Sequence, residues 1–200
     1  MNRLISGYRA FRKGRWQIEH ERYVRLAADG QKPETLVIAC SDSRSDPATI
    51  FNASPGELFV VRNIAAIVPP LEIDTTHHGT TAAIAFAVRV LNVRNILVLG
   101  HAQCSGVAAA LDKTVGADVP SLRSWIDLLI PAVERTRQTA DRIVALERSA
   151  VLLSMERLMT YDFIAERVRA GDLEINGARF GIGDGVLEIF DPAADAFLAI

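Results

Sequence analysis

Cys40-Ser41-Asp42-Ser43-Arg44 and His101-Ala102-Gln103-Cys104 hold the side chains of this chain best suited to chemistry. Thiolates and imidazole are ligands that zinc favours, and three protein ligands with a fourth position open make a catalytic zinc site. Cys40, His101 and Cys104 would form such a Cys2His set, using both cysteines of the chain. Asp42 and Arg44 add a carboxylate and a guanidinium close enough in sequence to pair.

These residues need elements to bring them together. Leu36-Val37-Ile38 precedes the first motif and Ile96-Leu97-Val98-Leu99 the second. Such aliphatic, β-branched runs read as strands buried on both faces. The motifs therefore sit where two parallel strands end, which is where open α/β sheets bind ligands.

Plainer readings compete. A free cysteine at a buried strand end is often just a small hydrophobe. A Cys40–Cys104 disulfide is disfavoured, because the chain begins with no secretory segment and has the cysteine usage of a cytosolic protein. A phosphatase-type loop would place arginine six residues after the cysteine, where this chain has Asp46. A redox pair would have its cysteines close in sequence. By spacing alone, Asp42 and Arg44 remain open to being an ordinary turn ion pair. Gly181-Ile182-Gly183-Asp184-Gly185 precedes a strand rather than opening a helix, so it is not read as a nucleotide loop.

The two motifs resemble those of the β-class carbonic anhydrases, Cys-x-Asp-x-Arg followed some sixty residues later by His-x-x-Cys. The likeness continues through Pro55-Gly56-Glu57-Leu58-Phe59-Val60-Val61-Arg62-Asn63-Ile64-Ala65, Val68-Pro69-Pro70 and Gly79-Thr80-Thr81-Ala82-Ala83-Ile84. It is clear from residue 1 to about residue 115 and holds in outline beyond. It implies a zinc enzyme, a lyase, in which zinc-bound hydroxide attacks CO2 to give bicarbonate, with Cys40, His101 and Cys104 as ligands and Asp42 and Arg44 as the catalytic dyad. Gln31 and Phe59 match positions lining the substrate pocket, the glutamine reaching across a dimer interface. Phe86 stands where some members carry tyrosine, and Ser105 replaces a frequent glycine, although Gly106 remains. Some members close the zinc at low pH with the motif aspartate and carry tryptophan three residues before the first cysteine. Val37 occupies that position here, which implies a site that stays open. Carbon disulfide or carbonyl sulfide hydrolysis on the same zinc scaffold is the alternative, with a non-catalytic zinc-binding relative behind it. His20, His77 and His78 are candidates for proton transfer but also ordinary surface or capping residues, and none is assigned.

Bulk properties agree with a small-molecule enzyme. The 200 residues suit a single domain spanning 1–200, half of them are hydrophobic, and the formal net charge is −2. A near-neutral chain is poorly suited to nucleic acid. No apolar run reaches the roughly 18 residues of a membrane span, so a cytoplasmic protein is expected. Arg3, Arg9, Arg12, Lys13 and Arg15 alternate with Leu4, Ile5, Tyr8 and Phe11 in a basic amphipathic helix. A membrane-surface or transit segment would share that pattern. The resemblance implies instead that residues 1–28 form an arm crossing to a neighbouring subunit, giving a homodimer or dimer of dimers.

The expected fold is α/β, a mostly parallel central β-sheet flanked by helices, with the N-terminal helical arm and a C-terminal hairpin extending the sheet. Strands are expected at 35–39, 58–62 and 95–100, and helices at 47–51, 76–92 and from 104 to 112. Residues 122–170 read as helical with a break or kink at Pro131. Residues 173–182 and 186–190 flank Gly183-Asp184-Gly185 as a hairpin, with a further turn before Phe197-Leu198.

Overall fold

The computed structural model describes residues 1–71 and 78–200. His77 and the first two residues of the helix expected at 76–92 lie outside the described residues. Two helices open the chain, α1 (Asn2–Lys13) and α2 (Arg15–Asp29), separated at Gly14. Neither buries a residue, and Leu4, Ile5, Tyr8, Ile18 and Val24 are exposed. α2 touches the rest of the chain where Arg22 pairs with Glu57 at 3.0 Å.

β1 (Thr35–Cys40), α3 (Pro47–Ile50), β2 (Leu58–Asn63), α4 (Gly79–Arg89), β3 (Asn95–His101) and α5 (Ser105–Ala108) follow in alternation. α5 ends in a 3-10 turn over Ala109–Leu111, so the helix expected at 104–112 is one short turn and a tightened continuation. The helical stretch beyond is four helices, α6 (Pro120–Asp127), α7 (Ile130–Arg135), α8 (Arg142–Leu158) and α9 (Asp162–Arg169). Pro131 sits in the first turn of α7. It starts a helix rather than kinking one, because its missing N–H is not needed there. β4 (Glu174–Phe180), β5 (Leu187–Asp191) and β6 (Ala196–Ala199) complete the chain.

The strands form one mixed sheet in the order β2-β1-β3-β4-β5-β6. β1 to β4 are parallel, and the antiparallel β4–β5 hairpin and β6 extend the edge. Alternation along β1 sorts the core: Leu36 and Ile38 face α4, α8 and α9, while Val37 and Ala39 face the side of Ile50, Leu58 and Ile189. A third cluster gathers Cys40, Cys104, Val107, Leu129, Leu146 and Ala150 beyond the strand ends. From β1 the chain goes to one neighbour, β2, and then returns to the other, β3. That reversal opens a crevice at the carboxyl ends of β1 and β3. α8 crosses there at close range: a Cβ on Gly100 would lie 2.6 Å from Val151 Cγ2.

Candidate metal centre

Cys40 ends β1 and His101 ends the neighbouring β3, so parallel pairing alone sets them side by side. Cys104 arrives three residues later because the chain turns back at Gln103, whose φ is 54°. Among the described residues, Cys40, His101 and Cys104 form a group whose ligand atoms all lie within 4.8 Å of one another. The sulfurs are 3.8 Å apart, and all three residues are buried.

The donor chemistry fits zinc. Nδ1 of His101 lies 2.9 Å from the Ala102 carbonyl and can donate to it only in the tautomer that leaves Nε2 with its lone pair free. Nε2 is buried without a hydrogen-bond partner, an arrangement that a metal ion resolves. Cys104 pulls the Cys40 thiol well below its ordinary range, to about 4, against the opposing effect of burial, and His101 and the backbone at Asp42 and Ala65 add to the pull. The same coupling, together with burial, pushes Cys104 up. With the two sulfurs 3.8 Å apart, a bound cation would displace the proton that remains on the pair and leave two thiolates. Burial opposes a charge on His101, but Cys40 and the Ala102 carbonyl outweigh it and raise the imidazole's affinity for a proton.

Local geometry gives each sulfur backbone support. Ala65 and Ala66 have φ of 64° and 54°, a left-handed pair without glycine. Asn63 bridges them by donating to the Ile67 carbonyl and accepting from its N–H, and Ser154 of α8 donates to the Ala66 carbonyl. That bend turns the Ala65 backbone toward Cys40. On the other side, backbone of Gly106 and Val107 lowers the pKa of Cys104, partly offsetting its rise. Gly106 has a packing reason to be glycine, since a Cβ would meet Ile64 Cγ2 at 2.6 Å. Ser105, beside it, is exposed.

Asp42 is held by Arg44 at three points: Nε donates to Oδ1 at 3.0 Å, Nη2 to Oδ2 at 2.7 Å, and the Arg44 N–H to Oδ1 at 2.9 Å. These bonds drive its pKa far below the carboxylate range, and burial opposes them only weakly. Oδ2 lies 3.9 Å from His101 Nε2, beside the position a metal would take. Arg62 received no role from sequence reasoning, although it lies in the segment carrying the resemblance. From β2 it donates to the carbonyls of Cys40 and Asp42 and pairs with Asp46. Arginine on the partner strand one position before the metal motif's pairing end was the available signal.

The remaining predicted residues are not gathered here. Phe59 pairs in register with Leu36, whereas Cys40 pairs with Asn63, a separation of four positions, or roughly 13 Å along the strand. Phe86 of α4 stacks on Phe59, with centroids 5.9 Å apart, and is 45% exposed. Gln31 is exposed and precedes β1 altogether. The chain therefore does not bring Gln31, Phe59 and Phe86 to its own cysteines. His20 packs edge-on against Trp16. His78 lines a cleft of about 760 Å³ with Ser41, Asn63 and Trp125.

Comparisons with known proteins place this geometry. The family model described as "Carbonic anhydrase" matches residues 35–187. Beta carbonic anhydrase 3 of Arabidopsis thaliana is 35% identical over 96% of this chain and 77% of that protein. The chloroplastic beta carbonic anhydrase 5 of the same plant is 38% identical over 90% of this chain, which spans 61% of that relative's length. Among solved structures, the β-carbonic anhydrase CcaA superposes with a TM-score of 0.89 at 30% identity, covering 100% of this chain and 92% of that one. A tetrameric β-carbonic anhydrase of Sordaria macrospora gives 0.80 at 33% identity, covering 94% and 95%.

Proposed function

On the premise that this chain belongs to the β-class carbonic anhydrase family, we propose that it hydrates carbon dioxide reversibly to bicarbonate and a proton, with Cys40, His101 and Cys104 holding one zinc ion. The observation that carries the reading is the placement of Asp42, locked by Arg44 and set 3.9 Å from the metal-facing nitrogen of His101. A purely structural zinc site needs neither residue.

Zinc held by Cys40, His101 and Cys104 would supply the Lewis acidity that lowers the pKa of water. Two thiolates and a neutral imidazole would cancel the ion's charge, so this donor set would ionise water less readily than three histidines do. Asp42 accepts the hydrogen that the hydroxide nucleophile retains and turns a lone pair toward the substrate carbon. Arg44 keeps that carboxylate anionic and fixes its plane. As the new C–O bond forms, one C=O electron pair moves to oxygen and bicarbonate results. The proton released when water ionises passes to solvent or buffer.

Gln31, Phe59 and Phe86 complete the pocket from a second copy of the chain. The separation of Phe59 from its own Cys40 and the exposed apolar side chains of α1 and α2, which a partner would cover, support this reading. The assembly is a homodimer or a dimer of dimers, residues 1–28 crossing between copies and residues 1–200 acting as one unit. No helix of the described residues is long and apolar enough to cross a membrane. Two thiols that must stay reduced to bind metal suit the cytoplasm. Stopped-flow CO2 hydration with zinc measured on the same sample tests the function. Zinc-loaded protein that leaves CO2 untouched but turns over carbon disulfide would overturn it.

A further inference from the structure

Glu147 of α8 is 3% exposed, an acid in a place where acids are rare, and the mechanism above does not use it. Its Oε2 receives Nε and Nη2 of Arg179 at 2.8 and 2.7 Å. Its Oε1 accepts the backbone N–H of Gln103 at 2.6 Å. Gln103 is the residue between His101 and Cys104 whose left-handed backbone, at φ 54°, turns the chain back toward the metal position. A side chain other than glycine, asparagine or aspartate seldom adopts that conformation unless its surroundings hold it there. The other side of Gln103 is tied as well, its carbonyl accepting Nη2 of Arg44 at 3.4 Å. Ala102, just before it, donates to the Phe180 carbonyl at the end of β4.

We propose that Glu147 is a positioning residue for the metal centre. Oriented by Arg179, it holds Gln103 in the strained turn and so fixes the reach from His101 to Cys104. The buried pair is itself braced, because Arg179 also meets Glu188 at 3.1 Å and Glu188 meets Arg148 at 2.6 Å. The chain thus carries a preformed tridentate site whose third ligand depends on a carboxylate forty-three residues further along. The proposal rests on the zinc reading of Cys40, His101 and Cys104.

The test measures zinc release from the loaded protein to a chromophoric chelator, with thermal unfolding and the thiolate charge-transfer band of the cobalt-substituted protein in parallel. Glu147→Ala should release zinc roughly ten- to a hundredfold faster, the range typical of lost outer partners of metal ligands. Glu147→Gln, which keeps an acceptor for Gln103 but loses the charge pair, should fall between. Adding Gln103→Gly to either variant should restore release to within about threefold of wild type, because glycine adopts the turn unaided. A residue that merely balances Arg179 in the core would gain nothing from that glycine. Unchanged release in both single variants, or no rescue by Gln103→Gly, overturns the proposal. So does failure of both glycine-bearing variants to fold, which would make Glu147 a core partner only. Wild-type protein that binds no zinc would instead refute the metal reading on which the proposal stands.

Discussion

Arg62 donates through Nε to the carbonyl of Cys40 at 2.8 Å, so the strand beside β1 also carries the arginine that fixes the Cys40 backbone. The same guanidinium takes the Asp42 carbonyl at 2.6 Å and the Asp46 carboxylate at 3.2 Å. One side chain therefore spans the loop from Cys40 through Asp42 to Asp46.

Arg62→Ala should keep its zinc but lose at least about tenfold in kcat/KM, since Asp42 loses its anchor while the three ligands remain. Removing charge-assisted hydrogen bonds worth about 1.5–3 kcal/mol in net terms should lower the thermal midpoint by roughly 5–10 °C. Calorimetry and stopped-flow rates on one preparation check both. Full activity in that variant would leave Arg62 no part in holding the loop.

Asp42→Asn should retain zinc and lose roughly two or more orders of magnitude in rate, the scale of a missing positioned acid–base group. The sign of the pH dependence follows from Arg44. A depressed carboxylate contributes its stability above its unfolded pKa and loses it only as pH falls through the lower folded value. Asp42 therefore stays ionised and on Arg44 throughout the neutral range. Activity should rise with pH along a single-proton curve, set by ionisation of water at the metal. A steep multi-proton profile, or a crystal at pH 7 with Asp42 on the metal, would contradict this.

Cys104→Ser should lose most of the bound zinc by elemental analysis. In wild type stripped by a chelator, the sulfurs at 3.8 Å should be open to oxidation, because Cys40 ionises easily once coupled to its partner. Mild oxidant should then remove both free thiols, and zinc should rebind only after reductant is added. Retention of two titratable thiols would show that the pair cannot close.

Assembly makes the sharpest prediction about the pocket. Gln31→Ala and Cys104→Ser should each be poorly active alone. Co-refolded, they should form mixed dimers in which one site combines intact ligands from the first chain with Gln31 from the second, giving about a quarter of wild-type activity in a random mixture. Activity equal to the mean of the two parents would place Gln31 outside the partner's site. Deleting residues 1–28 should give aggregating protein by light scattering, and a well-behaved active monomer would refute the crossing arm.

Much of the site was legible along the chain because its parts are local. A buried strand announces itself as an aliphatic run, and the residues that end it inherit its position. Thus Cys40, His101 and Cys104 could be grouped from spacing and donor chemistry, and Asp42 with Arg44 from their closeness in sequence. The β4–β5 hairpin was readable for the same reason, since its Gly183-Asp184-Gly185 turn is chemistry of adjacent residues.

Tertiary structure alone decided the rest. Glu147 reads in sequence as one more charge on a helix, and only the close crossing of α8 over Gly100 buries it against Gln103. Arg62 acquires its role from the register of β2 on β1. Phe59 could be assigned to a pocket by resemblance, but only the register of β2 on β1 shows that four positions of strand separate it from its own Cys40. Pro131 begins a helix because the chain before it had already turned, a fact no periodicity encodes. Local pattern specifies elements and donor atoms, whereas packing between distant segments determines which charges are buried and which backbone is held under strain.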